Sequence, residues 1–162
     1  MPKVLIISAT KGTNLVLSNR IGDLLDCKKK IITLEDFGMP VYAPDLETYD
    51  SSIIKTLSKD FISSDGLIFC APEYNGGSPP ILTNTIAWIS VLTSNWRDAF
   101  MNKKALIASH SGGAGVRFLS TFRVQLEHLG AIVYPRNILV NSSQEFNKTS
   151  AQKILNGFLD LI

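Results

Sequence analysis

Three short segments of this 162-residue chain combine residue types that suit ligand binding. The first loop, Ser8–Asn14, holds hydroxyl side chains, an amide, one ammonium and a glycine between an apolar run and a stretch with helical spacing. Free N–H groups and the helix dipole favour an anion there, and a phosphate monoester fits. It is not a Walker A loop, because no Gly-Lys-Ser/Thr closes it. Ordinary helix capping by Thr13 or Asn14 is the structural alternative.

The second loop, Ala71–Pro80, also follows an apolar run and is rich in proline and glycine. Its rigid backbone can present N–H and C=O groups to the edge of a flat heterocycle, and Tyr74 and Asn75 can contact the rim. The alternative is a turn-rich loop ahead of a helix that begins near Pro80.

The third loop, Ser109–Gly115, contains two serines, His110 and three glycines after a further apolar run. Glycines allow a backbone to approach a ligand closely, while a flexible connection is the alternative. Ligands of parallel α/β sheets bind beyond the carboxyl ends of the strands. The three loops together therefore predict one crevice, with a phosphate at one end and a planar group at the other.

The segments that must position these loops have a regular order. Short continuous apolar runs are typical of strands covered on both faces, and they occupy Val4–Ile7, Ile31–Leu34, Gly66–Ala71, Ala105–Ala108 and Ala131–Val133. Helical spacing lies between and after them, at Leu15–Leu25, Ile53–Ile62, Ile81–Leu92, Val116–Leu129 and Ile154–Ile162. The alternation predicts an α/β fold with a parallel sheet between helices, in a single domain over residues 1–162.

Local signals mark some of the helix ends. Asp50–Ser52 is a predicted cap of the second helix, and Thr149–Ser150 is a predicted cap of the last one. Gly130 is the predicted C-terminal glycine of the fourth helix.

Composition narrows the classes of partner. The chain is 45% hydrophobic and 19% charged, which excludes general disorder, and its net charge of +2 does not call for a nucleic acid. No apolar run reaches transmembrane length and the first is too short for a signal peptide, so we expect a cytoplasmic protein without a membrane partner. Cys27 and Cys70 give no metal-ligand spacing. Cys70 is predicted in the core. Cys27 adjoins Lys28–Lys30, whose positive charge can lower the pKa of its thiol. The simpler interpretation of the lysine run is a solvated turn.

The second loop carries the strongest resemblance to a known family. Pro72–Asn75, followed by Gly77–Pro79 and Leu82–Trp88, resembles the PEYN and LKNAIDW segments of the NADPH-dependent FMN reductases, a group that includes quinone, azo-dye and chromate reductases. The first loop is similar to the family's G-S-x-R-x-G-S at Ser8, Lys11, Gly12 and Thr13, with Ile7 and Thr10 replacing its glycine and arginine. The third loop, with Arg117 and Arg123 on the helix after it, and Met39–Tyr42 are similar to further family segments.

The resemblance implies a flavodoxin-like three-layer sandwich with a five-stranded parallel sheet of order 2-1-3-4-5. It implies FMN bound without a covalent bond, its phosphate on the first loop and its isoalloxazine against the second and third loops. The implied FMN ligands are Ser8, Thr10, Lys11, Thr13, Asn14, Pro72, Glu73, Tyr74, Asn75, Ser109, His110, Ser111, Gly112 and Gly115. Family members are dimers or tetramers, and a homodimer is expected here, with a tetramer as the alternative. Because Thr10 replaces an arginine, we expect weaker FMN binding.

The implied function is reduction of a small acceptor by NAD(P)H through FMN, the acceptor being a quinone, free flavin, azo compound or metal oxyanion. Hydride passes from NAD(P)H to the flavin N5, the donor leaves, and the acceptor takes the electrons from the same face. No residue is predicted as a catalytic acid or base, because the flavin carries the chemistry. His110 is a candidate proton source for a quinone, with a backbone-bonded loop residue as the alternative. A flavodoxin-type electron carrier and an FMN-less binding module remain alternative functions.

Overall fold

The computed structural model describes residues 1–46 and 52–162. The strands are β1 (Lys3–Ser8), β2 (Lys28–Thr33), β3 (Gly66–Cys70), β4 (Lys104–His110), β5 (Ile132–Val133) and β6 (Ile138–Val140). The helices are α1 (Thr13–Leu24), α2 (Ser52–Ile62), α3 (Pro80–Leu92), α4 (Val116–His128) and α5 (Lys148–Leu159), with 3-10 turns at Leu34–Phe37 and Pro44–Leu46. The predicted cap residues Asp50 and Ser51 lie outside the described residues.

The sheet confirms the predicted flavodoxin-like order, since its strands run β2-β1-β3-β4-β5 with parallel pairing. The fifth position is filled by two segments, because β6 also pairs with β4, placing Ile138 beside Ala108. Pro135 lies between the two segments and has no N–H for a ladder. The Arg123 guanidinium fills this break and donates to the Tyr134 carbonyl oxygen at 2.8 Å. The sequence did not predict β6.

Alternate residues of each central strand enter two separate cores. Leu5 and Ile7 face the core that α2, α3 and α4 cover, which also holds Phe69. Val4 and Ile6 face the second core, under α1 and α5. Both faces of the sheet are therefore buried, which is why the strands read as continuous apolar runs.

The lysine run beside Cys27 is not the predicted turn, because Lys28–Lys30 forms the first half of edge strand β2. The Lys29 ammonium donates to the carbonyl oxygens of Gly22 and Leu25 at the end of α1. The prediction of a lowered thiol pKa is also wrong: burial raises the pKa of Cys27 and outweighs the lowering by Lys29. Apolar periodicity missed this half-strand because its side chains point to solvent.

Of two predicted helix ends, the structure confirms the prediction for α4 and contradicts that for α5. Gly130 follows α4 with φ of +90°, as predicted for a C-terminal glycine. The cap of α5 is Asn147, whose side-chain oxygen accepts from the Ser150 N–H, so the prediction of Thr149–Ser150 as the cap is wrong. None of the helices in the described ranges is long and apolar enough to cross a bilayer.

Candidate functional site

The three loops leave β1, β3 and β4, which are neighbours in the sheet, at the same edge. The hydrogen bonds of the ladder continue one residue beyond the strands. Ala9 donates to the Cys70 carbonyl oxygen at 2.8 Å, and Ala71 donates to that of Ala108 at 3.1 Å. The loops therefore begin side by side, as the sequence predicted.

The first loop presents the first turn of α1 without a cap. Ser8 is buried and donates through Oγ to the Thr10 carbonyl oxygen at 2.7 Å, which folds the loop back on itself. Gly12 is the N-cap residue directly before α1, and its φ of +79° is a backbone conformation that favours glycine. Within residues 1–46 and 52–162, no side chain caps α1, so capping by Thr13 or Asn14 is wrong. Thr13 is exposed, and the N–H groups of this turn can meet an anion.

The Lys11 side chain is engaged away from that turn. Its ammonium forms an ion pair with Asp36 at 2.8 Å, and its backbone N–H donates to the Glu35 carboxylate. The hydrogen bond that Lys11 donates to Asp36 and the charge of that carboxylate raise the pKa of Lys11, so the ammonium stays charged. Lys11 therefore holds the segment after β2 rather than standing as an unpaired phosphate ligand.

Asn14 joins the first loop to the third. It is buried, its Nδ2 donates to the His110 carbonyl oxygen at 2.9 Å, and its Oδ1 accepts from the His110 N–H at 3.0 Å. Both polar atoms of the side chain are thus used inside the protein. The backbone N–H of Asn14 lies in the first turn of α1.

The second loop contains a two-residue hairpin. Tyr74 and Gly77 exchange two backbone hydrogen bonds of 3.0 Å, and the central residues Asn75 and Gly76 have φ of 50° and 76°. Positive φ at both central residues is the mark of a type I′ turn, which Asn-Gly favours. Tyr74 is 49% exposed at the hairpin and Pro72 is buried at its base. The loop is therefore a rigid platform with one exposed aromatic ring.

Glu73 has a different role from the other residues of this loop. Its Oε2 accepts from the backbone N–H groups of Arg117 at 2.9 Å and Phe118 at 3.2 Å, in the first turn of α4. Its own N–H donates to Ser111 Oγ at 2.8 Å. Glu73 therefore caps α4 and ties the second loop to the third.

The third loop is divided between buried and open positions. Ser109 and Ser111 are buried and share a hydrogen bond of 2.8 Å between their Oγ atoms. A Cβ at Gly112 or Gly113 would meet nothing within 4 Å, so there is open space beside this backbone. Gly115 is different, because φ is +76° and a Cβ would lie 2.7 Å from Leu139 Cδ1. Packing and backbone conformation thus both favour glycine at position 115, and its contact with FMN stays a prediction.

A cavity of about 340 Å³ lies beside the first turn of α1. Its polar residues are Thr13, His110 and Arg20, and the Arg20 guanidinium lies 5.6 Å from the centre of the Phe146 ring. His110 thus stands next to the first loop, and its role as a proton source for a quinone stays a prediction. Sequence reasoning missed Arg20 and Phe146. Arg20 follows Thr13 by about two helical turns on the same face of α1, which was the available signal.

Two further segments of the family pattern contact each other. Asn84 on α3 donates through Nδ2 to the Pro40 carbonyl oxygen and accepts through Oδ1 from the Tyr42 N–H, both at 2.8 Å. Trp88 Nε1 donates to the same Pro40 oxygen at 2.8 Å. The segment after β2 is therefore fixed against α3.

These features fit FMN: free N–H donors for a phosphate at α1, a rigid hairpin for a ring edge, and open glycine backbone between them. The fold and the site define a flavodoxin-like protein with a mononucleotide site. The chain belongs to the NADPH-dependent FMN reductase family, whose sequence pattern matches residues 2–145. This places it among the NAD(P)H-dependent oxidoreductases that use FMN.

Individual proteins agree with this placement. The chain is 25% identical over 120 residues to a 2-hydroxy-1,4-benzoquinone reductase from Burkholderia sp., covering 72% of this chain and 61% of that protein. It is 22% identical over 144 residues to an NADPH azoreductase from Bacillus sp. (strain OY1-2), covering 86% of this chain and 76% of that protein. The fold is also similar to the solved structure of FerB, a flavoenzyme NAD(P)H:(acceptor) oxidoreductase from Paracoccus denitrificans. The TM-score is 0.82 at 18% sequence identity, and the match covers 99% of this chain and 97% of that chain.

Proposed function

We propose that this protein reduces a small organic acceptor with electrons from NAD(P)H through bound FMN. The observation that carries the proposal is the uncapped first turn of α1 at the same sheet edge as the second and third loops. The names of two relatives, a quinone reductase and an azoreductase, suggest a quinone or an azo compound as the acceptor.

Each part of the site has a task in this proposal. The first-turn N–H groups of α1 and the Thr13 hydroxyl hold the phosphate. The backbone of the Tyr74–Gly77 hairpin faces the ring, and its N–H groups stabilise the electron density gained on reduction. FMN, when bound, supplies the two-electron redox chemistry. The open backbone at Gly112 and Gly113 leaves the ring face accessible to a planar partner.

Donor and acceptor use this face in turn. NAD(P)H gives up a hydride, which is two electrons and one proton, and leaves as NAD(P)⁺ before the acceptor enters. A quinone then takes up two electrons and two protons, one proton originating from the donor and one from water. Water is the ultimate source of the second proton, and His110, which lines the cavity beside the first turn of α1, is the candidate residue for delivering it.

The decisive experiment combines a spectrum with a turnover assay. Purified protein mixed with FMN and desalted should retain a yellow flavin spectrum, and it should oxidise NADPH steadily when a benzoquinone is added. Flavin retention without NADPH oxidation would favour the electron carrier. A colourless protein after FMN addition would favour the binding module.

Assembly and location belong to the proposal as well. We propose a cytoplasmic homodimer, supported by exposed apolar side chains on the outer helices, Val91 on α3 and Val124 on α4. Sedimentation of the FMN-loaded protein should give twice the chain mass of 17.8 kDa. A sedimenting species of chain mass would overturn the dimer.

A further inference from the structure

Glu73 connects three parts of the site through two groups. Its backbone N–H reaches Ser111 Oγ in the third loop, and its carboxylate reaches the backbone of Arg117 and Phe118 in α4. Ser111 is in turn bonded to Ser109 through Oγ and to the Val140 carbonyl oxygen through its N–H. Glu73 thus links the hairpin to the third loop and to α4.

The hairpin also packs against the helix that Glu73 caps. A Cβ at Gly76 would lie 3.3 Å from Arg117 Cδ, so the turn and the start of α4 are close neighbours. A change at Glu73 therefore moves both walls that face the ring end of the crevice.

Charge gives Glu73 a second effect. The first turn of a helix carries a partial positive charge, and a carboxylate bound there cancels part of it. α4 begins where the third loop ends, so its first turn adjoins the ring end of the crevice. A positive helix end favours a ligand that gains negative charge, and the Glu73 carboxylate weakens that effect at α4. The first turn of α1 has no such carboxylate among the described residues and stays available for the phosphate.

We propose that Glu73 is a positioning residue that holds the second and third loops at the spacing the flavin ring needs and, through α4, keeps the midpoint potential of the bound flavin low. The inference rests on the proposed function. Glu73 has no direct contact with the flavin in this role. It acts through the α4 backbone and through Ser111.

Two substitutions separate the spacing effect from the charge effect. Glu73→Gln keeps the volume and an oxygen that can accept from Arg117 and Phe118, but loses the charge. Glu73→Ala loses both the charge and the accepting side-chain oxygen. Glu127→Gln is the matched control, because it removes the same charge from an exposed position at the other end of α4. Far-UV circular dichroism of each apoprotein verifies folding.

The two readouts are the FMN dissociation constant, from quenching of flavin fluorescence, and the midpoint potential, from a dye-coupled titration. Glu73→Gln should bind FMN within about threefold of the unmodified protein but shift the midpoint potential to more positive values. Glu73→Ala should weaken FMN binding about tenfold, which is the loss expected from one or two hydrogen bonds that hold a loop. Glu127→Gln should change neither quantity.

Two results would overturn the inference while leaving the proposed function intact. One is a midpoint potential of Glu73→Gln equal to that of Glu127→Gln, and the other is unchanged FMN affinity in folded Glu73→Ala. If the unmodified protein takes up no FMN, the proposed function fails and this inference fails with it. The affinity of the unmodified protein therefore tells the two failures apart.

Discussion

The Asn14 amide uses both of its polar atoms to join the first and third loops, and it is buried. Asn14→Ala should lower the free energy of unfolding by roughly 2 kcal/mol, because it leaves the N–H and C=O of His110 without their partner. Urea denaturation measures the change. Asn19→Ala, at an exposed position on the same helix, is the control and should have little effect. Equal stability of the two variants would contradict the role given to Asn14.

The Thr13 hydroxyl lies at the first position of α1 and lines the cavity beside it. Thr13→Ala should weaken FMN binding by about 1 kcal/mol if this hydroxyl bonds the phosphate. Riboflavin, which has no phosphate, should bind both proteins equally, and isothermal titration with the two ligands makes the comparison. Thr121→Ala, at an exposed position on α4, serves as the control. An FMN affinity unaffected by Thr13→Ala would remove Thr13 from the site.

Individual residues of the site also show what could not be predicted from the sequence. The sequence located the residues that line the three loops, because polar and glycine residues followed apolar runs. It could not show which of their side chains would be used internally. Asn14, Glu73 and Lys11 all read as ligands, but each makes its contacts with residues far away in the chain. Such contacts depend on tertiary geometry, which residue type and spacing do not encode.

A glycine at the start of β3 lies close to α5 and the residues after it. A Cβ at Gly66 would lie 2.5 Å from Ile162 Cδ1 and 3.0 Å from Phe158 Cζ. Gly66→Ala should therefore destabilise the protein by about 1–3 kcal/mol through overpacking. Gly112→Ala is the control, since its Cβ would meet nothing within 4 Å. Thermal unfolding of the apoproteins tests the pair, and indistinguishable transitions would show that α5 can move aside at no cost.

The strands and helices could be predicted from the sequence where burial gives their apolar residues a regular spacing. The central strands and the helices that cover them were identified because both faces of the sheet are apolar. The edges were harder to predict. Half of β2 consists of lysines exposed to solvent, and β6 is only three residues long after a break at Tyr134–Asn137. Short or solvent-facing strands are defined by hydrogen bonds to a neighbour, so they leave little signal in the order of residues.

For the molecule as a whole, alkaline stability depends on a buried thiol. Burial raises the pKa of Cys70 from 9.0 to about 12. The thiol stays protonated in the folded protein while it ionises in the unfolded chain above pH 9. The unfolded state therefore binds fewer protons, and stability falls as pH rises from about 9 towards 12, by up to about 1.4 kcal/mol per pH unit.

Urea denaturation under reducing conditions at pH 8, 9, 10 and 10.5 measures this slope. Cys70→Ala should lose less stability over the same range, because the group responsible is gone. Cys27→Ala, at a half-buried position, should resemble the unmodified protein more closely. Parallel curves for the unmodified protein and Cys70→Ala would show that other groups cause the alkaline loss.

Both borders of the sheet resist further growth by strand addition. One border carries three consecutive lysines, whose charges repel a second copy of the same strand. The other is interrupted at Pro135 and occupied by a guanidinium group. Neither border can template a continuous intermolecular ladder of the kind found in amyloid. We therefore expect no self-association by strand addition, and concentrated preparations should not acquire thioflavin-binding aggregates while the fold is intact.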